Sequence, residues 1–126
     1  MRDGVLLVED DEDAADSIEG MLHDIGYRTV LRAETVEEAL RQIQTAVPRI
    51  AVLDASLHGK PAHAVASQLA ESAVPFVVST GFDPKTLPGA FRHGVPLRKP
   101  YDRKELYTAL MLAIARQRAG QDTPTR

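Results

Sequence analysis

The sequence predicts an α/β fold, with one doubly wound, five-stranded parallel sheet and helices on both of its faces. Short and nearly unbroken apolar runs recur along the chain, which is typical of strands whose two faces are both covered. Segments with apolar residues at helical spacing separate these runs, and this alternation favours a parallel sheet. A chain of 126 residues has the length of one domain with a substantial core.

The first half of the chain supplies three strands and two helices. The segment Ala14–Ile25 has apolar residues at helical spacing, and Gly26 is a typical helix stop. A second helix is predicted after the segment Thr35–Glu38, which fits a capping box, and Pro48 ends it. The predicted strands of this half are Val5–Val8, Tyr27–Ala33 and Ile50–Leu53.

The second half adds two strands, two regular helices and one irregular segment. Helices are predicted over Ala62–Ala70 and from the capping box Asp102–Glu105 to Ile114. Residues 83–94 contain two prolines and two glycines, so the fourth helix is expected to be short or irregular. The predicted strands are Phe76–Val78 and Val95–Leu97. The right-handed crossover rule then favours the flavodoxin-like strand order 2-1-3-4-5.

Composition and charge exclude several classes of function. The chain has no cysteine, which excludes disulfides and thiolate chemistry. Its net charge of −3 argues against general nucleic-acid binding. No apolar run is long enough to span a membrane and no signal peptide is recognisable, so a cytoplasmic location is expected. Residues 1–118 are predicted to form the folded domain, and the polar residues 119–126 a flexible tail.

Polar side chains stand at the ends of four of the five predicted strands. They are Glu9 and Asp10 after the first strand, Asp54 after the third, Thr80 after the fourth and Lys99 after the fifth. Ligands of open parallel sheets bind at the carboxyl ends of the strands, so we expect these side chains to converge. Carboxylates about 4–5 Å apart repel by roughly 3–4 kcal/mol per pair at an effective dielectric near 20. A cation relieves that repulsion, and oxygen ligands without His or Cys indicate Mg²⁺.

Four segments, in this order and spacing, resemble the receiver domain of bacterial two-component response regulators (CheY-like): VLLVEDDEDA, AVLDASL, VVSTGF and LRKPYD. The resemblance extends from about Val5 to Ile114. It implies a Mg²⁺ site and an aspartate that accepts a phosphoryl group from a sensor histidine kinase or a histidine phosphotransfer protein. The residues so implied are Asp54 as acceptor; Glu9, Asp10, Asp54 and the backbone carbonyl of Ser56 for Mg²⁺; Thr80 and Lys99 for the phosphoryl group; and Pro100 for a cis peptide bond. An offset of one residue would instead make Asp10 and Asp11 the acidic pair.

Three positions depart from the family pattern. Pro96 stands where most receivers have a Tyr or Phe, three residues before the lysine, and a proline cannot swing inward as that aromatic ring does. Gly81 and Phe82 follow Thr80, whose hydroxyl the resemblance identifies as the switch group. This arrangement is similar to that of a minority of stand-alone receivers. We therefore expect an output loop that comprises Gly81, Phe82 and residues 83–94. His58 stands where the family often has Pro, which affects the loop after the acceptor.

The resemblance implies a switching protein rather than an enzyme with an external substrate. A single-domain, stand-alone receiver would catalyse only its own phosphorylation and dephosphorylation. It would act by binding a downstream protein, with no direct nucleic-acid contact and no membrane insertion. The alternative is a Mg²⁺-dependent phosphohydrolase with an Asp nucleophile, but such enzymes of the haloacid dehalogenase type have Asp-x-Asp after the first strand, where Glu9 stands here. A flavin carrier is a third option, disfavoured because VEDDED would repel an FMN phosphate.

Overall fold

The computed structural model describes residues 4–122 apart from residues 84, 86 and 88. The strands of this part are β1 (Val5–Val8), β2 (Val30–Ala33), β3 (Ile50–Asp54), β4 (Ser56–Leu57), β5 (Lys60–Pro61), β6 (Phe76–Thr80) and β7 (Val95–Arg98). The helices are α1 (Glu12–Ile25), α2 (Val36–Thr45), α3 (His63–Glu71) and α4 (Arg103–Asp122), with a 3-10 helix at Gly89–His93. Within this part of the chain, no helix is both long and apolar enough to cross a bilayer.

Five strands form one parallel sheet in the order β2-β1-β3-β6-β7. When only these five strands are counted along the chain, this is the order 2-1-3-4-5, which confirms the predicted fold class. The register places Val8 beside Leu53 and Asp54 beside Ser79. Because the paired strands end in step, the carboxyl ends of β1, β3, β6 and β7 meet at one edge of the sheet.

The two faces of the sheet bury two separate hydrophobic cores. In β1, Leu6 belongs to one core together with Ile43 of α2, whereas Leu7 belongs to the other core together with Leu110 of α4. Successive side chains of a strand point to opposite faces, so both faces need apolar residues. This explains why β1 and β3 are apolar at every position except Asp54, which ends β3.

Element boundaries differ from the prediction where local hydrogen bonds decide them. The N–H of Tyr27 donates to the carbonyl of Leu22 at 3.0 Å, so Tyr27 closes α1 rather than beginning β2. Residues 56–61 form the antiparallel hairpin β4–β5, which the sequence did not predict. Its turn residues His58 and Gly59 have φ values of 51° and 75°, as a two-residue hairpin turn requires.

The start of α4 and the irregular segment before β7 agree with the sequence pattern. The N–H of Glu105 donates to Asp102 Oδ1 at 2.8 Å, and the N–H of Asp102 donates to Glu105 Oε1 at 3.1 Å. This reciprocal pair is a complete capping box. The short or irregular fourth helix is the 3-10 helix Gly89–His93.

The C-terminal helix is longer than the sequence predicted. α4 continues to Asp122, so residues 119–122 of the predicted tail 119–126 are helical. Residues 123–126 lie outside the described part of the chain.

Candidate functional site

The polar residues predicted at the strand ends meet at one edge of the sheet. Asp54 is the last residue of β3 and Thr80 is the last residue of β6. Glu9 directly follows β1, and Lys99 directly follows β7. The N–H of Lys99 donates to the carbonyl of Thr80 at 2.8 Å, which extends the backbone ladder up to the site. The sheet therefore positions these side chains through its backbone.

Lys99 connects two buried carboxylates. Its Nζ lies 2.7 Å from Asp54 Oδ2 and 3.4 Å from Glu9 Oε1, and Glu9 and Asp54 are only 4% and 7% exposed. Burial alone would lower the pKa of Lys99. The hydrogen bond and charge of Asp54, together with Glu9, outweigh burial and raise the pKa of the ammonium group. Lys99 is therefore a fixed positive charge between the two carboxylates.

Backbone N–H groups of the segment after β3 orient two of the carboxylates. The N–H of Ser56 donates to Asp54 Oδ1 at 3.1 Å, and the N–H of His58 donates to Asp10 Oδ2 at 2.6 Å. The bond from His58 stabilises the charged form of Asp10 and lowers its pKa. The hairpin β4–β5 thereby ties Asp10, whose side chain is 24% exposed, to the strand that carries Asp54.

Three carboxylates form a group that could hold a metal ion. Glu9, Asp10 and Asp54 each offer one oxygen, and these atoms lie within 4.8 Å of one another. Asp11 is exposed, and its N–H rather than its carboxylate meets the group, donating to Glu9 Oε2 at 3.2 Å. Burial and the charge of Asp54 raise the pKa of Glu9 to about 7, against the opposing effect of the Asp11 N–H. One ammonium facing three carboxylates leaves excess negative charge, and an all-oxygen donor set fits Mg²⁺.

The end of β6 links the site to an exposed aromatic ring. Thr80 is buried, and its Oγ1 accepts a hydrogen bond from the N–H of Phe82 at 3.0 Å. Gly81 lies between them, and Phe82 is 76% exposed. A reorientation of the Thr80 hydroxyl would therefore change the hydrogen bond that the backbone N–H of Phe82 donates. Residues 84, 86 and 88 of the predicted output loop lie outside the described residues.

Two prolines lie in β7 and just after it. The Lys99–Pro100 peptide bond is cis. Pro96 pairs with Val78 of β6 and is exposed, because burial alternates along β7. A proline in this strand is tolerated because β7 is at the edge of the sheet.

The hydroxyl of Tyr101 is a feature of this region that the sequence did not reveal. It is buried and has no hydrogen-bond partner in the described part of the chain, and burial raises its pKa. Together with Glu9 and Lys99, Tyr101 lines a cavity of 220 Å³ that also includes Ile18 and Met21. From the sequence, an aromatic residue such as Tyr101 is expected to pack against other side chains. No local sequence pattern indicates that its hydroxyl is buried.

Two comparisons with known protein sequences give different results. The family model described as the response regulator receiver domain matches residues 5–111. No curated protein matches the chain significantly.

Solved structures of similar fold cover nearly the whole chain. The solution structure of SdrG from Sphingomonas melonis Fr1 is 29% identical with a TM-score of 0.77, over 90% of this chain and 97% of that one. The signal receiver domain of a modulated diguanylate cyclase from Desulfovibrio desulfuricans G20 is 29% identical with a TM-score of 0.80, over 95% and 99% of the two chains. A CheY-like receiver domain from Methylobacillus flagellatus shares the fold, at 24% identity and a TM-score of 0.75, over 90% and 99%.

Proposed function

The chain belongs to the response regulator receiver domain family, and we propose that it is a phosphoacceptor switch whose acceptor is Asp54. In this proposal, a sensor histidine kinase or a histidine phosphotransfer protein supplies the phosphoryl group in a Mg²⁺-dependent reaction. The phosphorylated form then changes its affinity for a downstream protein partner. The protein turns over no external substrate and works in the cytoplasm, without membrane insertion or direct contact with nucleic acid.

The contact of 2.7 Å between Lys99 Nζ and Asp54 Oδ2, inside a carboxylate cluster, carries this proposal. An aspartate at the end of a strand often serves only as a turn or cap residue. A turn or cap residue would not need the ammonium of Lys99 beside it. It would also not need Glu9 and Asp10, whose oxygens lie within 4.8 Å of an oxygen of Asp54. A group that is rich in negative charge and holds one fixed cation supports a site for a divalent ion next to a phosphoryl acceptor.

The transfer would exchange one bond to phosphorus for another. A carboxylate oxygen of Asp54 forms the new bond while the bond from phosphorus to the donor's histidine nitrogen breaks, and that nitrogen keeps the electron pair. Glu9, Asp10, Asp54 and the backbone carbonyl of Ser56 would hold Mg²⁺. When bound, Mg²⁺ offsets the negative charge of the phosphoryl oxygens. The N–H of Ser56, which donates to Asp54 Oδ1, orients the acceptor.

Lys99 and Thr80 would contact the transferred group. Once Asp54 carries the phosphoryl group as an acyl phosphate, the carboxylate has lost its own charge, so the ammonium of Lys99 can pair with a phosphoryl oxygen. A hydroxyl group can accept and donate at the same time. Thr80 can therefore keep accepting from the N–H of Phe82 while it donates to a phosphoryl oxygen. Because Pro96 cannot swing inward, we expect the output to pass through Phe82 and its loop.

Intact mass spectrometry after incubation with acetyl phosphate tests the acceptor. We expect one phosphoryl adduct in the presence of Mg²⁺ and none in EDTA. Asp54→Asn should abolish the adduct. Asp13→Asn removes an exposed acid from the first turn of α1 and should retain it. An adduct that persists in Asp54→Asn, or that forms equally well without Mg²⁺, would contradict the proposal.

Amide hydrogen exchange tests the output loop separately. Phosphorylation should change exchange between residues 80 and 94 more than exchange in the second half of α1, whose residues Ile18 and Leu22 belong to the other hydrophobic core. Exchange at 80–94 that is the same with and without the phosphoryl group would rule out this loop as the output.

A further inference from the structure

We propose that a groove beside the free edge of β7 is the docking site for an acidic segment of the downstream protein. This inference rests on the proposed function, because it names the kind of partner that the output loop would recognise. The groove has a volume of about 380 Å³, and we call it the basic groove. Three cations and three apolar side chains in its lining are Lys85, Arg92, Arg116, Leu87, Phe91 and Pro96.

The positive charges of the basic groove are available to a partner. In the described part of the chain, no carboxylate lies within ion-pair distance of Lys85, Arg92 or Arg116. The neighbouring Asp83 accepts the backbone N–H of Lys85 through Oδ1 at 3.0 Å, so this acid engages the backbone of Lys85. All three cations are exposed. Like charges gathered at one groove repel each other, and carboxylates of a partner would relieve that repulsion.

The sequence concentrates positive charge on the segments that form this groove. Residues 84–101 contain four Lys or Arg residues and no Asp or Glu, and residues 106–121 contain two Arg residues and no Asp or Glu. The whole chain has a net charge of −3, and five consecutive acids occupy positions 9–13. The basic groove is therefore a local positive surface on an acidic protein, and its field would steer an acidic segment towards it.

The basic groove is continuous with the proposed output loop. Two of its cations, Lys85 and Arg92, belong to that loop. Alternate residues of a strand share one face, so Arg98 lies on the same face of β7 as Pro96, and both are exposed. The register of the sheet places Arg98 beside Thr80. A surface with one further cation thus leads from the groove to the proposed switch hydroxyl, and a change at that hydroxyl would reach the docking site.

The other groups at the groove favour an acidic polypeptide over other anions. A guanidinium group forms two parallel hydrogen bonds with a carboxylate, and Leu87 and Pro96 add apolar surface beside the two arginines. Because a proline has no N–H for an added strand, we expect the partner to bind through its side chains. A segment with Asp or Glu next to apolar residues matches both parts of the groove, whereas nucleic acid or free phosphate would match only the cations.

Selection from a library of short random peptides displayed on phage tests the kind of partner. The bait is the full chain, used separately with and without acetyl phosphate and Mg²⁺. We expect the selected peptides to be enriched in Asp and Glu next to apolar residues, more strongly for the phosphorylated bait. A selection that yields no such enrichment with either bait would overturn the inference.

Fluorescence anisotropy of a selected, dye-labelled peptide tests the place where it binds. The double variant Arg92→Gln/Arg116→Gln should weaken binding by about 10–100-fold and should still form the phosphoryl adduct. The matched control Arg28→Gln/Arg41→Gln removes the same charge from exposed positions outside the groove and should keep a Kd close to that of the wild type. An unchanged Kd in the groove variant, or equal losses in the two double variants, would overturn the inference.

Other occupants give different results. A single-stranded DNA oligonucleotide that binds as tightly as the peptide, and loses binding in the groove variant, would show a general anion site and overturn the assignment. A dimer in light scattering that the groove variant converts to a monomer would assign the groove to a second copy instead. Failure of the proposed function is distinguishable from these outcomes. If the wild type forms no adduct but its peptide binding is still lost in the groove variant, the docking site stands and the acceptor proposal is refuted.

Discussion

Replacing Asp10 by asparagine should slightly destabilise the metal-free protein and remove its stabilisation by Mg²⁺. The oxygens of Glu9, Asp10 and Asp54 lie within 4.8 Å of one another, and at that separation two charges repel by about 3.5 kcal/mol at an effective dielectric of 20. Lys99 contacts Glu9 and Asp54, so those two carboxylates have a cation beside them. Asp10 is repelled by both of them, but the hydrogen bond from the N–H of His58 stabilises its charged form and lowers its pKa, so the charge of Asp10 favours the folded state at neutral pH.

The measured loss of stability should be small, because these repulsions oppose the hydrogen bond from His58. Asp10 is partly exposed, so water screens its charge. Glu9, whose pKa is about 7, is partly protonated near neutral pH, which already relieves one of the two pairs. The asparagine oxygen can still accept the N–H of His58. We therefore expect a loss of at most about 1 kcal/mol in the free energy of unfolding, and a fall in Tm of at most about 6 °C.

Urea unfolding in EDTA and in excess Mg²⁺, at pH 7.5, measures both effects. The chain has no tryptophan, so circular dichroism is the suitable signal. The wild type should gain about 2.7 kcal/mol when free Mg²⁺ is about 100 times its Kd, whereas Asp10→Asn should gain little. Asp13→Asn should respond to Mg²⁺ as the wild type does. An Asp10→Asn protein that is clearly more stable than the wild type without metal, or that keeps the full response to Mg²⁺, would refute this reasoning.

Three further predictions concern packing and charge. Gly94→Ala should lower the free energy of unfolding by about 2–3 kcal/mol, because the added Cβ would lie 2.5 Å from the ring of the phenylalanine that begins β6. Gly20→Ala, with no atom within 4 Å of the added Cβ, should instead raise the free energy of unfolding by about 0.5–1 kcal/mol. If urea unfolding gave the same change for Gly94→Ala and Gly20→Ala, the close contact at Gly94 would be contradicted. Tyr101→Phe should leave the free energy of unfolding unchanged or raise it by up to about 1 kcal/mol, because the lost hydroxyl has no hydrogen-bond partner in the described residues. A clear loss of stability in the same assay would show that the hydroxyl has such a partner. Hydrogen bonds to Glu19 and to a backbone carbonyl raise the pKa of His23. Its stabilising contribution should be complete below the ordinary pKa of histidine and disappear as the pH rises through the raised value; an NMR titration that shows no upward shift would contradict this.

The sheet and its polar edge could be predicted because two local patterns coincide. A run such as Ile50–Leu53 is apolar at every position, and this is typical of a strand covered on both faces. A charged residue directly after such a run, as Asp54 is, must lie at the rim of the sheet. The order of the strands follows from the handedness of crossovers, so no individual residue had to reveal it.

The hairpin after β3 could not be predicted from hydrophobic periodicity. β4 and β5 have two residues each, which is too short for any alternation to be recognised. The N–H of His58 donates to Asp10, and the two residues are far apart in the sequence. This contact between the hairpin and the loop after β1 is therefore a product of the tertiary structure.

The raised pKa of Glu9 and the buried hydroxyl of Tyr101 have the same origin. Both depend on how much water the surrounding side chains exclude, and a sequence does not state this for a residue at a strand end or in a loop. The sequence could predict which polar residues meet at the edge of the sheet, but their protonation and unpaired atoms required the packed structure.

Pro96 restricts the way in which another protein can attach to this end of the sheet. The N–H of Lys99 donates to Thr80 of β6, and alternate residues of a strand face the same neighbour. The backbone nitrogen of Pro96 therefore faces away from β6, toward the free edge of β7, and it has no hydrogen to donate. A partner finds an incomplete ladder there and cannot readily extend the sheet by strand addition. We expect recognition at this edge to use side chains, and the same gap disfavours edge-to-edge association of copies of the chain.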